Sequence, residues 1–330
     1  MVALLRWDKL PYILALILYL LIFYIRYQQG GWEVKIDVFQ QERQFLDQKI
    51  SQLLPSPQAE LLSGILLGQN KSLPGSLKLS LRDTSTLHIV VASGQNLSMV
   101  GGVFLSLAGL IKRRNAIILS LLAISFYTVL TGMQIPIVRA AIMFSLAALA
   151  QLTGRTKDGV WVLAVTLGLM LLVNPSWITS ISFQLSALAT FGVIVVAPLF
   201  LRWLDKLPII GQDLAVSLAA QVMVVPIIAQ NFHQFSLVGI IANLFILWTI
   251  PFIMIGGVIM LGFSVVLNFI GGLVGVGVNI LLTYFIYIVQ FFASLPFAWE
   301  YIGEQLWLVW AGYYLIVGGI LMTINKPKLK

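Results

Sequence analysis

Hydrophobic and polar positions divide the chain into three parts of different character. Residues 11–25 form one apolar run, which predicts a membrane-anchor helix within residues 1–30, since about 20 apolar residues cross the hydrocarbon core of a bilayer. Residues 31–83 are mostly polar, with apolar positions at helical spacing. Residues 84–325 are apolar with few interruptions. We therefore predict an N-terminal anchor, a short polar segment and a transmembrane domain, in that order.

The polar segment contains two amphipathic patterns. In the first, apolar residues share one helical face until Pro55 and Pro57 end the pattern. In the second, a leucine-rich run ends at Gly68, a residue type that often terminates helices. An amphipathic helix buries its apolar face against lipid or protein. We expect both helices to lie along the outer membrane surface or to cap the transmembrane bundle.

Turn residues and charges separate the apolar runs of the third part. The predicted membrane segments are 85–111, 116–132, 136–152, 159–173, 177–200, 209–231, 237–268, 272–295 and 304–323. Pro251 leaves open whether the segment 237–268 crosses the membrane once, with a bend, or twice. Together with the anchor, the pattern predicts an all-α, polytopic helical membrane protein with about ten or eleven membrane segments, some of them broken or kinked.

Composition agrees with that fold class. Hydrophobic residues make up 59% of the chain, charged residues make up 10%, and the mean hydropathy is +0.97, whereas soluble domains carry about 25% charged residues. Cysteine is absent and only two histidines occur, which excludes disulfides and thiolate metal sites. We expect an integral membrane protein that has no metal and no cofactor.

Lysine and arginine are distributed unevenly between the predicted loops. Alternate loops hold Lys112, Arg113, Arg114, Arg155, Lys157, Arg202 and Lys206. The loops between them, around Gln134, Ser176 and Gln234, hold none. Cytoplasmic loops carry such an excess of positive charge, and Arg6 and Lys9 set the starting orientation. We therefore expect a multi-pass protein of the cytoplasmic membrane with its N-terminus in the cytoplasm.

The start of the transmembrane domain combines a glycine with several hydrogen-bonding side chains, namely His88, Ser93, Gly94, Gln95 and Asn96. On one continuous helix, His88, Gln95, Asn96 and Met99 would share a face, with Ser93 to the side. Polar side chains in hydrocarbon cost free energy unless they find partners. One interpretation is close helix packing around Gly94, with the polar groups satisfied by neighbouring helices. The interpretation that we favour is a broken helix that lines a polar path.

Arg139 is the one cation of the transmembrane domain that lies outside the predicted inner loops. Arginine inside an apolar helix costs at least about 2.5 kcal/mol on the insertion scale unless it snorkels or finds a partner. Facing the bundle interior, it would place a fixed positive charge beside a polar path. The acidic residues Asp158, Asp205 and Asp213 fall near the inner boundary. A coupled carrier usually needs a buried carboxylate, and none of these three is well placed.

Two later helices carry an amide side chain shortly before a proline. Gln221 precedes Pro226, whose ring and missing N–H should free a backbone carbonyl near Val222. Asn243 precedes Pro251 in the same way. Paired discontinuities of this kind mark transport sites, although each amide alone can also serve helix packing. The predicted transport path consists of His88, Ser93, Gly94, Asn96, Arg139, Gln184, Gln221 and Asn243.

The polar motifs, taken in chain order, resemble those of the ComEC competence family, in its membrane-embedded competence domain. The matching segments are LLSGILLG at 61–68, HIVVASGQN at 88–96, GMQIPIVRAAIM at 132–143, NPSWITSISFQLS at 174–186, AQVMVVP at 220–226 and NLFILWTIP at 243–251. Asn96 stands where many members have histidine. Many members also contain an OB-like domain and a C-terminal metallo-β-lactamase-like domain. We expect this chain to lack the second domain and a full version of the first.

Members of that family carry single-stranded DNA through the cytoplasmic membrane during natural transformation. The resemblance therefore implies a DNA internalisation channel with single-stranded DNA and membrane lipid as its partners. It also implies an outer DNA receptor and a cytoplasmic helicase-like ATPase, and a homodimer is one assembly that it allows. The chain has no G-x4-GK[ST] loop of its own, so we expect the driving force to come from such partners.

Two other function classes compete with the channel. Ser93 and His88 suggest an intramembrane serine hydrolase, but five residues on one helix would separate them by about 140°. A small-solute transporter would need the coupling carboxylate that the transmembrane domain lacks. We therefore predict a channel and not an enzyme.

Overall fold

The computed structural model describes residues 10–30, 37–69, 72–90, 93–154, 158–204, 206–207 and 210–324. This part of the chain folds into sixteen α-helices and one pair of short strands. The helices are α1 (Leu10–Gln28), α2 (Gln40–Leu53), α3 (Gln58–Leu67), α4 (Gly75–Asp83), α5 (Leu87–Val90), α6 (Gly94–Ser106), α7 (Arg113–Leu130), α8 (Ile135–Leu152), α9 (Gly159–Val173), α10 (Ile181–Phe191), α11 (Ala197–Leu204), α12 (Gly211–Phe232), α13 (Gly239–Leu247), α14 (Thr249–Val266), α15 (Asn268–Ala293) and α16 (Trp307–Ile324). The strands are β1 (Gln234–Ser236) and β2 (Trp299–Tyr301), which pair in antiparallel orientation.

Six helices in the described part of the chain are long and apolar enough to cross a membrane. They are α7, α8, the continuous helix Ile181–Leu204 that contains α10 and α11, α12, α14 and α15. The predicted all-α, multi-pass membrane class is confirmed, with β1 and β2 as a small addition. The predicted count of ten or eleven segments is not confirmed. The predicted segment 85–111 is interrupted, because α5 and α6 replace one continuous helix.

The leucine-rich helix α3 lies inside the largest hydrophobic core. All residues from Ala59 to Leu67 except Glu60 are buried, packed among α2, α4, α5, α14 and α15. Gly68, with φ +72°, ends the helix, and its N–H bonds to the Gly64 carbonyl, as predicted. Of the two positions expected for α3, packing against the bundle fits this burial and the membrane surface does not. The reason is that apolar residues lie on nearly every side of α3, and a helix that is apolar all round is buried.

Helix α2 is anchored to the turn between α7 and α8. Arg43 is only 5% exposed, and its Nη1 donates to the Leu130 carbonyl at 2.9 Å. The same guanidinium pairs with Asp37 and lies against Gly132 of the turn. Gln134 adds a hydrogen bond to the Gly68 carbonyl at the end of α3. The polar segment is therefore built into the bundle through its own charged and polar side chains.

Helices α13 and α14 run one after the other along α15. The Tyr284 hydroxyl of α15 donates to the Phe245 carbonyl of α13, whereas Gly271, near the start of α15, packs against Ser264 of α14. The order of these contacts is antiparallel, so the chain between residues 237 and 268 follows α15 once. It does so in two pieces, with the break at Trp248.

Candidate functional site

The predicted helix break at Ser93 and Gly94 is confirmed. Helix α5 ends at Val90 and α6 begins at Gly94, with Ser93 as its extended N-cap residue (φ −111°, ψ 164°). The Ser93 hydroxyl accepts a hydrogen bond from the Asn96 backbone N–H at 3.3 Å and donates to Asn96 Oδ1 at 3.1 Å. Serine is a preferred N-cap because its oxygen satisfies one of the free N–H groups of the first turn. Residues 91 and 92 lie outside the described part of the chain.

The prediction that His88, Gln95 and Asn96 share one helical face is wrong, because the helix is broken between them. His88 is exposed, and its Nδ1 lies 2.8 Å from the Ser85 carbonyl. Asn96 is only 1% exposed, and its Nδ2 donates to the Ile65 carbonyl of α3 at 3.0 Å. His88 and Asn96 thus belong to different surroundings. The hydrogen-bond partner of Ser93 is Asn96, within a helix cap.

Arg139 reaches from the second turn of α8 to both α6 and α10. Its Nη1 donates to the backbone carbonyl of Ser186 in α10. A Cβ built on Gly94 would lie 3.2 Å from Arg139 Nη2 and 3.1 Å from the Ala140 Cβ. Since contacts of that length are tighter than usual for a Cβ, only glycine fits comfortably at position 94. The structure therefore brings Ser93, Gly94, Asn96 and Arg139 together, and we call these four residues the arginine cluster.

The arginine cluster combines a fixed charge with a helix end of the same sign. Arg139 is half-buried, and its buried Nε–H has no hydrogen-bond partner. Among the described residues the ion pairs are Arg43 with Asp37 and Arg82 with Asp83, so Arg139 has no carboxylate partner there. The N-terminus of α6 adds partial positive charge. This arrangement suits an anion, because anions bind where free N–H groups and positive helix ends meet.

A second polar cluster joins α12 and α13. Asn243 Nδ2 donates to the Ser217 hydroxyl at 2.9 Å, and Gln221 Nε2 lies 3.4 Å from the Ser236 carbonyl. Asn243 Oδ1 is buried without a hydrogen-bond partner. Gly239 lies between this group and Ser85, the residue that binds the His88 ring: a Cβ on Gly239 would meet the Ser85 Cβ at 3.1 Å and the Ser236 hydroxyl at 3.3 Å. We call Ser217, Gln221, Ser236 and Asn243 the amide cluster, which His88 approaches only through Ser85 and Gly239.

Gln184, the remaining predicted path residue, bonds locally. Its Nε2 donates to the Ile178 carbonyl at 2.9 Å, in the 3₁₀ turn Pro175–Thr179 that precedes α10. Gln184 therefore fixes the entry of the chain into α10, the helix whose Ser186 carbonyl holds Arg139. The structure does not show it in either polar cluster.

Pro226 interrupts the hydrogen bonds of α12 without ending the helix. The Val222 carbonyl, which the proline frees, accepts a hydrogen bond from the Tyr313 hydroxyl of α16 at 2.9 Å. The Met223 carbonyl accepts one from the Tyr314 hydroxyl at the same distance. The predicted free carbonyl near Val222 is confirmed, and a neighbouring helix satisfies it.

Pro251 behaves differently. It lies in the first turn of α14, where a missing N–H costs little, and the break falls at Trp248 between α13 and α14. A discontinuity therefore accompanies each proline, but the two differ, because Pro226 lies inside a continuous helix and Pro251 lies in the first turn of a new one.

The sequence did not reveal the hydrogen-bonding roles of Tyr313, Tyr314 and Asp47. Tyr313 and Tyr314 gave no sign of their partners, since α12 lies 91 residues earlier. The carboxylate of Asp47, in the polar segment, accepts a hydrogen bond from the fully buried Ser63 of α3. The described residues contain no group of three or more histidine, cysteine or acidic side chains that could hold a metal ion.

The comparison with known families decides what kind of protein carries these clusters. A family model described as Competence protein matches residues 65–327, a range that includes both polar clusters. The chain belongs to this family, the ComEC competence family. The ComEC motifs predicted from the sequence lie within or next to the matched range, which confirms the resemblance.

Three curated relatives extend the ComEC comparison. ComE operon protein 3 of Bacillus subtilis (strain 168) is 27% identical over 194 residues, which is 58% of this chain and 25% of the relative. The uncharacterized protein YcaI of Escherichia coli (strain K12) is 28% identical over 230 residues, 64% of this chain and 30% of the relative. An uncharacterized protein of Aquifex aeolicus (strain VF5) is 31% identical over 157 residues, which is 47% of this chain and 37% of the relative. The matches thus cover between 25% and 37% of the relatives' own length. No solved structure matches the chain.

Proposed function

We propose that this chain forms the membrane channel that passes single-stranded DNA into the cytosol during natural transformation. The observation that carries the proposal is the half-buried guanidinium of Arg139, which has an unpaired Nε–H and no carboxylate partner among the described residues. Membership of the Competence family, and similarity to a protein named for a competence operon, support a role in DNA uptake.

The chemistry of the arginine cluster suits a phosphodiester chain. Each phosphate carries one negative charge and accepts hydrogen bonds, so it complements the free Nε–H of Arg139 and the N-terminus of α6. Ser186 already accepts a hydrogen bond from Nη1, which keeps the guanidinium in place while a phosphate passes. One cation attracts phosphates but releases them again, whereas a row of cations would hold the strand.

We assign the amide cluster to the same path. Asn243 and Gln221 offer both donors and acceptors, and such neutral groups exchange hydrogen bonds with sugar and base edges of any sequence. The buried Oδ1 atom of Asn243 is a hydrogen-bond acceptor without a partner. In this proposal Gln184 supports the path indirectly, through the turn before α10, and His88 approaches the amide cluster through Ser85 and Gly239.

The remaining parts of the proposal concern topology and partners. Shorter apolar helices at Leu14–Gln28, Gly159–Val173 and Trp307–Thr323, together with α6 and the six longer helices, would give about ten segments embedded in the membrane. We place the N-terminus in the cytoplasm and the protein in the cytoplasmic membrane, in accordance with the lysine and arginine distribution. An outer receptor would deliver the DNA, a cytoplasmic helicase-like ATPase would pull it, and a homodimer is a compatible assembly.

Gene deletion and restoration test the function itself. Labelled DNA should still bind to cells that lack this chain, but it should not reach the cytosol, and the wild-type chain should restore entry. Binding at the surface serves as the internal control, because receptor function does not need the channel. Normal entry in the deletion strain would contradict the proposal, as would loss of small-solute uptake with intact DNA entry.

Single cysteines test the topology, since the chain has no native cysteine. Cysteines at Lys112 and Lys206 should be shielded from an impermeant thiol reagent in intact cells. Cysteines at Gln134, Ser176 and Gln234 should be labelled. Labelling of the first set, with protection of the second, would reverse the proposed orientation.

A further inference from the structure

The longest charge-free stretch of the chain contains an unusual turn. Between Asp213 and Glu300 there is no lysine, arginine, aspartate or glutamate. Helices α14 and α15 lie in this stretch, and the single residue Leu267 joins them. By contrast, the connection between α6 and α7 includes Lys112, and that between α11 and α12 includes Lys206. Other connections, such as that between α7 and α8, also lack charge but contain polar side chains such as Thr131 and Gln134. The α14–α15 connection is the apolar Leu267 alone.

The side chains around this turn are apolar and exposed. Val266 and Phe269 are 77% and 81% exposed, and Val265, Leu267 and Leu273 are also more than half exposed. Two polar side chains lie nearby. Ser264 is buried and donates to the Leu261 carbonyl, whereas Asn268 is exposed. Clusters of exposed apolar side chains on a protein surface mark contact with another apolar phase or partner.

Three hydrogen bonds hold the backbone of the turn. The Leu267 N–H donates to the Phe263 carbonyl at 2.7 Å, and the N–H groups of Ile270 and Gly271 both donate to the Leu267 carbonyl at 3.1 Å. Gly271 allows the two helices to meet closely, since a Cβ there would lie 2.8 Å from the Ser264 backbone. Backbone that lies in hydrocarbon must pair its polar groups internally. A one-residue connection with three internal bonds exposes less free backbone than a longer loop would.

We propose that the α14–α15 turn lies among the acyl chains of the bilayer, as the tip of a lipid-embedded hairpin. The occupant of its exposed apolar surface is lipid, because the tip has no charge or extended loop with which to meet water or an aqueous partner. The β1–β2 pair joins the two ends of the α13–α15 unit on one side, so the hairpin can enter and leave the membrane by the same face. This proposal does not depend on DNA transport.

Spin-label accessibility tests the position of the tip. Val266→Cys and Phe269→Cys, each in the full-length chain reconstituted in phospholipid vesicles, would carry a nitroxide label. Collisions with dissolved O2, which concentrates in lipid, would be compared with collisions with a water-soluble nickel chelate. Lys112→Cys provides the reference for water, and Val278→Cys, at a buried site, provides the reference for protein contact.

Lipid contact predicts that O2 collisions exceed nickel collisions at both tip positions, with the opposite order at position 112. A nickel rate at the tip equal to that at position 112 would show a water-exposed turn and overturn the proposal. Low rates of both collisions, as at position 278, would show a protein contact such as a second copy and would also overturn it. Both tip side chains are exposed, so their replacement removes little packing.

Discussion

The break before α6 and the proline in α12 both interrupt the hydrogen bonds of a helix. At the proline, the freed carbonyl finds a hydrogen-bond partner, whereas a buried donor next to the break has none. At Pro226, Tyr313 and Tyr314 of α16 donate to the Val222 and Met223 carbonyls, so the released groups find partners inside the protein. At the α6 break, Ser93 caps the helix, but the adjacent Arg139 keeps a buried Nε–H without a hydrogen-bond partner.

The difference separates a structural interruption from a candidate binding site. A buried donor without a partner costs roughly 1–3 kcal/mol, so a protein keeps one only where something else is gained. The Val222 carbonyl that Pro226 frees has a hydrogen-bond partner, so we interpret Pro226 as a fixed bend in α12. The arginine cluster retains both charge and an open donor, and we interpret it as the place where a polyanion is met.

The largest expected effect comes from filling the space at the α6 break. Gly94→Leu should abolish DNA entry, because even a Cβ at this position would press against Arg139 Nη2 and Ala140. Gly102→Leu in the same helix is the matched control, since a Cβ there would have no neighbour within 4 Å. DNA internalisation would be measured at matched protein levels. Equal activity of the two variants would show that the close approach at Gly94 is unimportant.

Removal of the tyrosine hydroxyls should affect stability and not transport. Tyr313→Phe leaves the Val222 carbonyl without its partner and should lower the free energy of unfolding in detergent by about 1 kcal/mol. Tyr314→Phe should have a similar effect through Met223, and Tyr287→Phe, at an exposed position, should have none. DNA entry at matched expression should stay near normal. If Tyr313→Phe blocked DNA entry without loss of stability, the proline bend would belong to the path.

The smallest effect is expected from the N-cap. Ser93→Ala removes the acceptor for the Asn96 N–H and should cost about 1 kcal/mol of stability, with DNA entry only mildly reduced. Ser93→Thr, which keeps a capping oxygen, is the matched control. A hydrolase would show a different result, because loss of a nucleophile removes most of the rate. Inactivity of Ser93→Ala equal to that of Gly94→Leu would favour the hydrolase.

Local features of these sites were predictable from the sequence, whereas their partners were not. A serine–glycine pair indicates a helix start, and proline removes one defined hydrogen bond, so both interruptions followed from single residues. The partners come from distant parts of the chain: Ser186 lies 47 residues from Arg139, and Tyr313 lies 91 residues from Val222. Periodicity contains no information on such pairs.

The wrong predictions, and the question that Pro251 left open, also have physical causes. The shared face of His88 and Asn96 assumed one continuous helix, and the break cancels that geometry. Helix α3 was expected to be amphipathic, on the membrane surface or as a cap of the bundle, but its residues from Leu61 to Leu67 are all buried. The single passage of residues 237–268 along α15 depends on tertiary contacts that a proline position alone does not determine.

The central claim is that the Arg139 charge serves the path of DNA, and its most direct test is the neutral variant Arg139→Gln. We predict that this variant is present at the normal level in the membrane but passes little or no labelled DNA into the cytosol. Arg139→Lys, which keeps the charge but loses the guanidinium geometry, should be partly active, and Lys112→Gln should be fully active. Normal DNA entry through Arg139→Gln at normal expression would contradict the account.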